Sequence, residues 1–333
     1  MPRSTHPVEI LGFGPIGRRL AQVIATDPAL QKMGFSVHSV SDSTAKIFPK
    51  GRSDLSEIIK WKEMGRKLSD LKQNPSPPGS EAEIAVDVTN SDYSKPEEAR
   101  ARALGALNSG KHLVVASKVA LSNYFQEITL RAKKKNLEIG YGASICGGRY
   151  AITIAKSIDA NEVTSAAAVL NASTTLILSS IEDDASLTFD QACKKASSEG
   201  VLESNWSIDL DGVDAAAKTA ILSNVLFPKS KTSLKNMKIS GIRDEHAKGL
   251  ISSRRKPSSE KVRLVSRLDP SGASVKAEIL QSDSPLAVQG RFNAVLLETR
   301  SLGDISTRNL GGGVELTCSV LVSDLKRIAT TKS

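Results

Sequence analysis

Gly12-Phe13-Gly14-Pro15-Ile16-Gly17 spells G-x-G-x-x-G. It lies between an apolar, strand-like run at residues 8–13 and a stretch with Ile16, Leu20, Val23 and Ile24 at helical spacing. In a strand–turn–helix of this kind the first glycine permits the tight turn. The second lets the backbone approach a pyrophosphate, and the third lets helix pack closely on strand. The N–H groups at the helix start then face the anion. Pro15 suits the first helical turn, where its missing N–H costs little. The chemistry implied is the holding of a dinucleotide, NAD or NADP. Asp42 closes the next strand, residues 35–40. An acid there can accept hydrogen bonds from the adenosine ribose hydroxyls, which favours NAD. The same Asp42, beside Ser41 and Ser43, also fits a turn, and Lys46 is near enough in sequence to meet a 2′-phosphate, so both dinucleotides stay open.

Two further segments carry groups that could move protons. Residues 114–118 form a strand ending in Ser117-Lys118, and open α/β sheets place ligands at the C-terminal ends of their strands. Farther on, Glu203, Asp209, Asp214 and Lys218 fall within one short stretch. Asp214 and Lys218 are at i and i+4, so both project from one helix face. On a surface this would be an ordinary ion pair. Beside an apolar run it is expected to be at least half buried, and a buried charged pair usually needs a reason.

The elements that must position these groups alternate along the first half of the chain. Strands are expected at 8–13, 35–40, 84–88, 112–116 and 137–141, and helices at 15–26, 54–71, 96–109 and 119–134. Residues 74–80 read as a Pro/Ser/Gly-rich loop. Strands and helices alternating at these lengths imply an α/β fold, an N-terminal Rossmann domain with a doubly wound parallel sheet. The pattern changes after residue 141. An apolar stretch at 163–170 and helices at 189–198 and 213–227 precede strand-like segments at 262–267, 274–281 and 294–299. A second, α+β domain with a mostly antiparallel sheet is expected there, followed by a helix at 314–328. The division expected is 1–142 for the dinucleotide and 143–312 for substrate, catalysis and dimerisation. Residues 313–333 are expected to pack back on the first domain.

Bulk composition narrows the classes. The chain has 333 residues, enough for two domains with cores of their own. No run of about 18 apolar residues exists, so no membrane span is expected. The N-terminus lacks the apolar core of a signal peptide, and a cytoplasmic protein is expected. The three cysteines, Cys146, Cys193 and Cys318, are too few and too spread for a disulfide framework or a Cys-based zinc site. The four histidines show no metal-ligand spacing, and the metal content stays unknown. A net charge of +9 would suit nucleic acid. The positive residues are scattered, however, apart from Arg254-Arg255-Lys256, and no aromatics interleave with them. Solubility and attraction for phosphates and carboxylates explain the charge more simply, and no nucleic-acid partner is expected.

Taken together, these motifs resemble the homoserine dehydrogenase family over nearly the whole chain. The glycine loop, Ser117-Lys118, residues 143–148, residues 171–178, DLDGVDAAAK at 209–218, DSPLAVQG from Asp283 and the Gly311-Gly312-Gly313 turn fall in family order. DLDGVDAAAK is the most specific. The resemblance implies NAD(P)-dependent interconversion of L-aspartate 4-semialdehyde and L-homoserine, on the way to threonine and methionine. It assigns Lys118 and Lys218 to proton transfer at the substrate oxygen. Glu203 falls to the substrate amino group, and Asp209 and Asp214 to positioning substrate and lysine. Ser173 and Gly148 complete the candidate substrate set. Thr89, Ser117, Lys118 and Gly312 join the glycine loop and Asp42 on the cofactor side. Hydride addition to an aldehyde makes an alkoxide, which needs a proton and electrostatic stabilisation. The resemblance further implies a cytoplasmic homodimer formed through the second domain's sheet, of the short form without an appended regulatory domain.

The chain departs from the family pattern around the substrate. N-G-T-T-N-[YF]-I-L is Asn171-Ala172-Ser173-Thr174-Thr175-Leu176-Ile177-Leu178 here. G-G-[IL]-P is Gly147-Gly148-Arg149-Tyr150, and E-P-D-P is Glu203-Ser204-Asn205-Trp206. Gly142 replaces a common Glu, and Ser117 a common Asn. Arg149 and Trp206 could reshape the pocket, so a related oxidoreductase acting on another small amino or hydroxy acid is the first alternative. A dinucleotide-binding protein without catalysis is the second. Cys146 could serve as a nucleophile only with an activating base and an exposed thiolate, and it falls where the family has a small residue.

Overall fold

A computed structural model describes residues 5–72, 74–76, 81–158, 162–202, 205–253 and 259–331. Glu203, Ser204 and the run Arg254-Arg255-Lys256 lie outside the described residues. The chain divides into two compact units. One is Met1–Ala120, Glu127–Ser144 and Val314–Ser333; the other is Leu121–Gln126 and Ile145–Gly313.

In chain order the first stretch runs β1 (His6–Leu11), α1 (Pro15–Thr26), α2 (Pro28–Lys32), β2 (Phe35–Ser41), β3 (Lys46–Ile47) and α3 (Arg52–Glu63). It continues with β4 (Ile84–Asp87), α4 (Pro96–Asn108), β5 (His112–Val115), α5 (Val119–Lys134), β6 (Ile139–Gly140) and α6 (Gly142–Ile145). The sheet order is β3-β2-β1-β4-β5-β6, parallel except where β3 turns back on β2. β4 and β5 are buried at every residue, as central parallel strands covered on both faces must be. β1 has β2 on one side and β4 on the other. The strand order reverses there, and open α/β sheets bind ligands at such a point.

The second unit contains α7 (Arg149–Ser157), β7 (Val163–Val169), α8 (Ala172–Asp183), α9 (Phe189–Ser198), α10 (Trp206–Leu210) and α11 (Val213–Leu226). β8 (Lys238–Ile239), α12 (Glu245–Ser253), β9 (Glu260–Asp269), β10 (Gly272–Gln281), β11 (Phe292–Thr299) and β12 (Ile305–Leu310) follow. Its sheet order is β12-β11-β7-β9-β10-β8, antiparallel apart from the short β8–β10 pair. Ile177, Ile181, Cys193, Ala216 and Ala220 from the helices pack on Val262, Leu264, Val275 and Ala277 of the sheet. A smaller cluster gathers Val169, Val265, Leu280, Leu286 and Val288.

The last helix, α13 (Val314–Thr330), belongs to the first unit and adds Cys318, Leu321, Leu325 and Ile328 to its core. Its Asp324 accepts a hydrogen bond from the Gly142 N–H at 2.9 Å. Gly140 makes that approach possible, because a Cβ there would come within 2.7 Å of Asp324 Cβ.

Several expected boundaries shift. The helix expected over 54–71 stops at Glu63, Gly65 follows at φ +76°, and a 3₁₀ turn takes Leu68–Asp70. α5 is kinked at Tyr124. The strand expected over 137–141 is only Ile139–Gly140. Part of the loop expected over 74–80 lies outside the described residues. α8 went unread because its sequence, ASTTLILSSIED, is rich in Ser, Thr and β-branched residues with weak helix propensity. Tertiary burial of Ser173–Thr175 and Ile177–Ile181, most of the helix, overrides that preference.

The second unit also buries an ion pair. Arg263, fully buried, donates to both Glu182 carboxylate oxygens at 2.9 and 3.0 Å and to the carbonyls of Val262 and Val288. Removing one partner of such a pair strands the other charge. Glu182→Ala is expected to destabilise the protein by about 3–5 kcal/mol. Denaturant unfolding checks this, and a midpoint unchanged from the parent's would contradict it.

Candidate active site

At the C-terminal ends of β1, β2 and β4 the first unit opens a cavity of about 720 Å³. Gly12, Phe13, Gly14, Asp42 and Thr89 all line it. Phe13 is 1% exposed and belongs to the core, so its share of the lining is essentially backbone. Gly12 sits at φ +98°, and a Cβ there would lie 2.7 Å from the Thr89 nitrogen. A Cβ at Gly17 would lie 2.1 Å from the Gly12 carbonyl oxygen. Both glycines are therefore required by the protein itself. Gly14 differs: nothing lies within 4 Å of its would-be Cβ. It is the N-cap of α1, with Pro15 and Ile16 opening the helix. The space at Gly14 and the bare helix start fit a dinucleotide pyrophosphate.

The cavity is rich in cations. Arg18, Lys62, Lys67, Lys95 and Arg102 line it, against Asp42, Asp92 and Glu98. Arg102 donates to the Thr89 hydroxyl at 2.9 Å and pairs with buried Asp87 at 3.3 Å. Thr89 in turn donates to Asp87 at 2.6 Å. Asp42 is less available than its position suggests. One carboxylate oxygen accepts from Thr44 N, Thr44 Oγ1 and Ala45 N. The other accepts from Lys62 at 2.7 Å and Leu68 N at 3.3 Å. Burial alone would raise this carboxyl's pKa, but the Lys62 ammonium and the Thr44 donors outweigh it and hold it well below the usual carboxylate range. With its lone pairs so occupied, Asp42 gives no ground for preferring NAD. Lys46, left open as a 2′-phosphate contact, bonds Glu9 at 2.6 Å and is not part of the cavity lining. Lys62 was missed in the sequence because it sits in the stretch expected as one long helix.

Ser117 is buried, and its hydroxyl has no hydrogen-bond partner among the described residues. Lys118 is half-buried at the N-cap of α5, its backbone N–H donating to Ser91 Oγ at 3.3 Å. Neither lines the cavity, and Gly312, exposed at φ +78°, falls in the second unit.

In the second unit Asp209, Asp214 and Lys218 do come together. Lys218 Nζ lies 2.7 Å from Asp214 Oδ2 and donates to the Leu170 carbonyl at 2.8 Å. The two side chains are 16% and 12% exposed, which makes this a mostly buried pair. Asn171 donates to Asp209 Oδ1 at 2.6 Å and to Asp214 Oδ2 at 3.0 Å. The turn between α10 and α11 brings Asp209 and Asp214 close, and it needs Gly212 at φ +80°. Asn171, seen in the sequence only as a motif position, is the added member of the site. Two of the three ammonium donors are thus spent inside the protein, leaving one for a ligand oxygen. Ser173 donates to the Val201 carbonyl at 2.9 Å, and a Cβ added at Gly148 would come no nearer than 3.7 Å to a neighbour. Glu203 is outside the described residues.

A family model described as homoserine dehydrogenase matches residues 151–325, and another, its NAD-binding domain, matches residues 12–141. The first alone covers more than half of the chain. The chain belongs to the homoserine dehydrogenase family. The homoserine dehydrogenase of Pyrococcus horikoshii is 31% identical over 96% of this chain and 95% of its own length. That of Methanocaldococcus jannaschii is 28% identical over 96% and 97%. A solved hyperthermophilic archaeal homoserine dehydrogenase in complex with NADPH matches with a TM-score of 0.81 at 31% identity, covering 99% of each chain.

Three of the departures from the homoserine dehydrogenase pattern, Thr175, Trp206 and Arg149, make contacts of their own within the second unit. Thr175 back-bonds to the Asn171 carbonyl at 2.9 Å within α8. Trp206 packs against the second unit's core, so it is not a loose pocket side chain. Arg149 lies 5.8 Å from the Tyr150 ring centre at the start of α7. Among the described residues, no group of three or more His, Cys, Asp or Glu could hold a metal ion, and no helix is long and apolar enough to cross a membrane.

The contrast between Gly14 and Gly17 makes a test. Gly14→Ala is expected to melt with the parent but to lose dinucleotide affinity, since its methyl group fills the space a phosphate would enter. Gly17→Ala is expected to be less stable even without ligand. Calorimetric titration and thermal melts check both; tight dinucleotide binding by Gly14→Ala would contradict the assignment of the loop.

Proposed function

We propose that this chain is a homoserine dehydrogenase: an NAD(P)-dependent oxidoreductase that interconverts L-homoserine and L-aspartate 4-semialdehyde in aspartate-family amino-acid biosynthesis. The observation that carries the reading is the Lys218 ammonium, held by Asp214 and the Leu170 carbonyl with one donor left over. A nicotinamide dinucleotide fits the first unit's loop, where the backbone of residues 12–17, Thr89 and the cavity's cations would hold it, and it supplies the hydride acceptor or donor. Oxidising the alcohol also takes a proton from its hydroxyl, and reducing the aldehyde returns one.

Lys218 serves that oxygen. In the reductive direction its ammonium stabilises the developing alkoxide and gives up a proton; in the oxidative direction the neutral amine accepts one. Asp214 keeps the amine aimed. Glu203 is assigned to the substrate's amino group, Asp209 with Asp214 to positioning substrate and lysine, and Lys118 to proton transfer in the same reaction. The residues at 1–142 form the dinucleotide domain and those at 143–312 the substrate domain. A homodimer through the second sheet agrees with exposed Leu302 and Leu310 near its β12 edge. A cytoplasmic setting agrees with the sparse, widely spaced Cys146, Cys193 and Cys318.

Nicotinamide absorbance, followed with L-homoserine and NAD or NADP in turn, tests the reading. Turnover is expected in the parent, with kcat reduced by about 10²–10⁴ in Lys218→Ala and Lys118→Ala. Parent protein that binds dinucleotide but never oxidises homoserine would refute the substrate, and undiminished Lys218→Ala would refute the role of the lysine.

A further inference from the structure

Asn171 meets two demands with one side chain. It follows β7 and is the N-cap of α8, its Oδ1 accepting from the Thr174 N–H at 2.8 Å. Its Nδ2 donates to Asp209 at 2.6 Å and to Asp214 at 3.0 Å. The residue is 2% exposed, so water does not share these bonds. One acceptor and two donors are needed in a buried, neutral group. Asn and Gln are the side chains that carry both, and Asn has the length of a preferred N-cap.

The amide also reaches the reacting group at one remove. Asp214 Oδ2 is shared between Asn171 and the Lys218 ammonium. The ammonium's other anchor is the carbonyl of Leu170, the residue just before. Both fixed points of Lys218 therefore trace to two consecutive residues at the end of β7. We propose that Asn171 is a positioning residue: its amide fixes the Asp209 and Asp214 carboxylates against each other and, through Asp214, sets where the Lys218 ammonium stands. This rests on the homoserine dehydrogenase reading given above. Without the amide, Asp214 loses one of the donors that fix the oxygen it shares with the ammonium, and a misplacement of about 1 Å costs on the order of 10²-fold in rate.

The cap and the bridge can be separated by substitution. Serine caps a helix about as well as asparagine but is shorter and has one donor, so Asn171→Ser keeps the cap and loses the bridge. Asn171→Asp keeps the cap and the size and has no N–H to donate. Asn171→Ala loses both functions. Asn171→Ser is expected to melt within about 3 °C of the parent and to keep the parent's KM for the dinucleotide. Its kcat with L-homoserine is expected to fall by about 10²-fold. Asn171→Asp is expected to show the same loss of kcat, and Asn171→Ala that loss with a lower melting temperature. Parent-like kcat in a folded Asn171→Ser or Asn171→Asp would overturn the proposal. A second readout needs no substrate: acylation of Lys218 by an amine reagent, followed by mass spectrometry against the other lysines. Its rate is expected to change by a factor of about three or more in either variant, the scale of one net hydrogen bond; an unchanged rate would overturn the proposal. If the parent itself does not oxidise homoserine, the functional reading fails, and the labelling still decides whether Asn171 sets Lys218.

Discussion

A lysine ammonium that is mostly withdrawn from water has to be met by acceptors, and much of the second unit serves that requirement at Lys218. Taking an ion out of water costs several kcal/mol even after relaxation. Asp214 supplies the opposite charge at 2.7 Å, and the Leu170 carbonyl a second acceptor at 2.8 Å. A buried carboxylate makes the same demand in turn, and Asn171 answers it for Asp214 and Asp209 together. The end of β7, the cap of α8 and the turn from α10 to α11 must therefore arrive at one place. Gly212 lets the last of these turn, and Gly241 lets a neighbouring segment pass close, since a Cβ there would lie 2.1 Å from the Leu210 carbonyl.

The first unit is governed by a different constraint, the closeness of three backbone segments. Gly17 presses on Gly12, and Gly12 presses on Val88 and Thr89. This fixes the loop after β1 against the end of β4 and leaves Gly14 facing open space. Around it, Arg102, Thr89 and Asp87 form one hydrogen-bonded group, and Lys62, Thr44 and Asp42 another. Each couples a cation to an acid while leaving the cavity's balance positive. An anionic ligand is favoured without any single dedicated charge. Part of the chain's +9 is thus put to use locally.

The legible parts of this protein were those whose information is local. The glycine loop states its own geometry within six residues, and the Asp214–Lys218 spacing announces a shared helix face. The parallel sheet followed from alternating apolar runs, because β4 and β5 are buried on both faces. What was not legible depends on partners distant in sequence. Asn171 finds its acids 38 and 43 residues away, and no spacing rule connects them. Asp42 read as an open acceptor because Lys62 and Leu68, which occupy it, lay in a stretch expected to be a single helix. Lys46 read as able to reach a 2′-phosphate because nothing local showed that Glu9, two strands across the sheet, would hold it.

The central claim is that this chain moves a hydride between the carbinol carbon of L-homoserine and a nicotinamide, with Lys218 serving the oxygen. The most direct test supplies L-homoserine deuterated at that carbon and weighs the nicotinamide product by mass spectrometry. The account predicts one deuterium on the reduced dinucleotide for each semialdehyde formed. Reduced dinucleotide without deuterium, or no reduced dinucleotide at all from protein that binds the oxidised form, would contradict it.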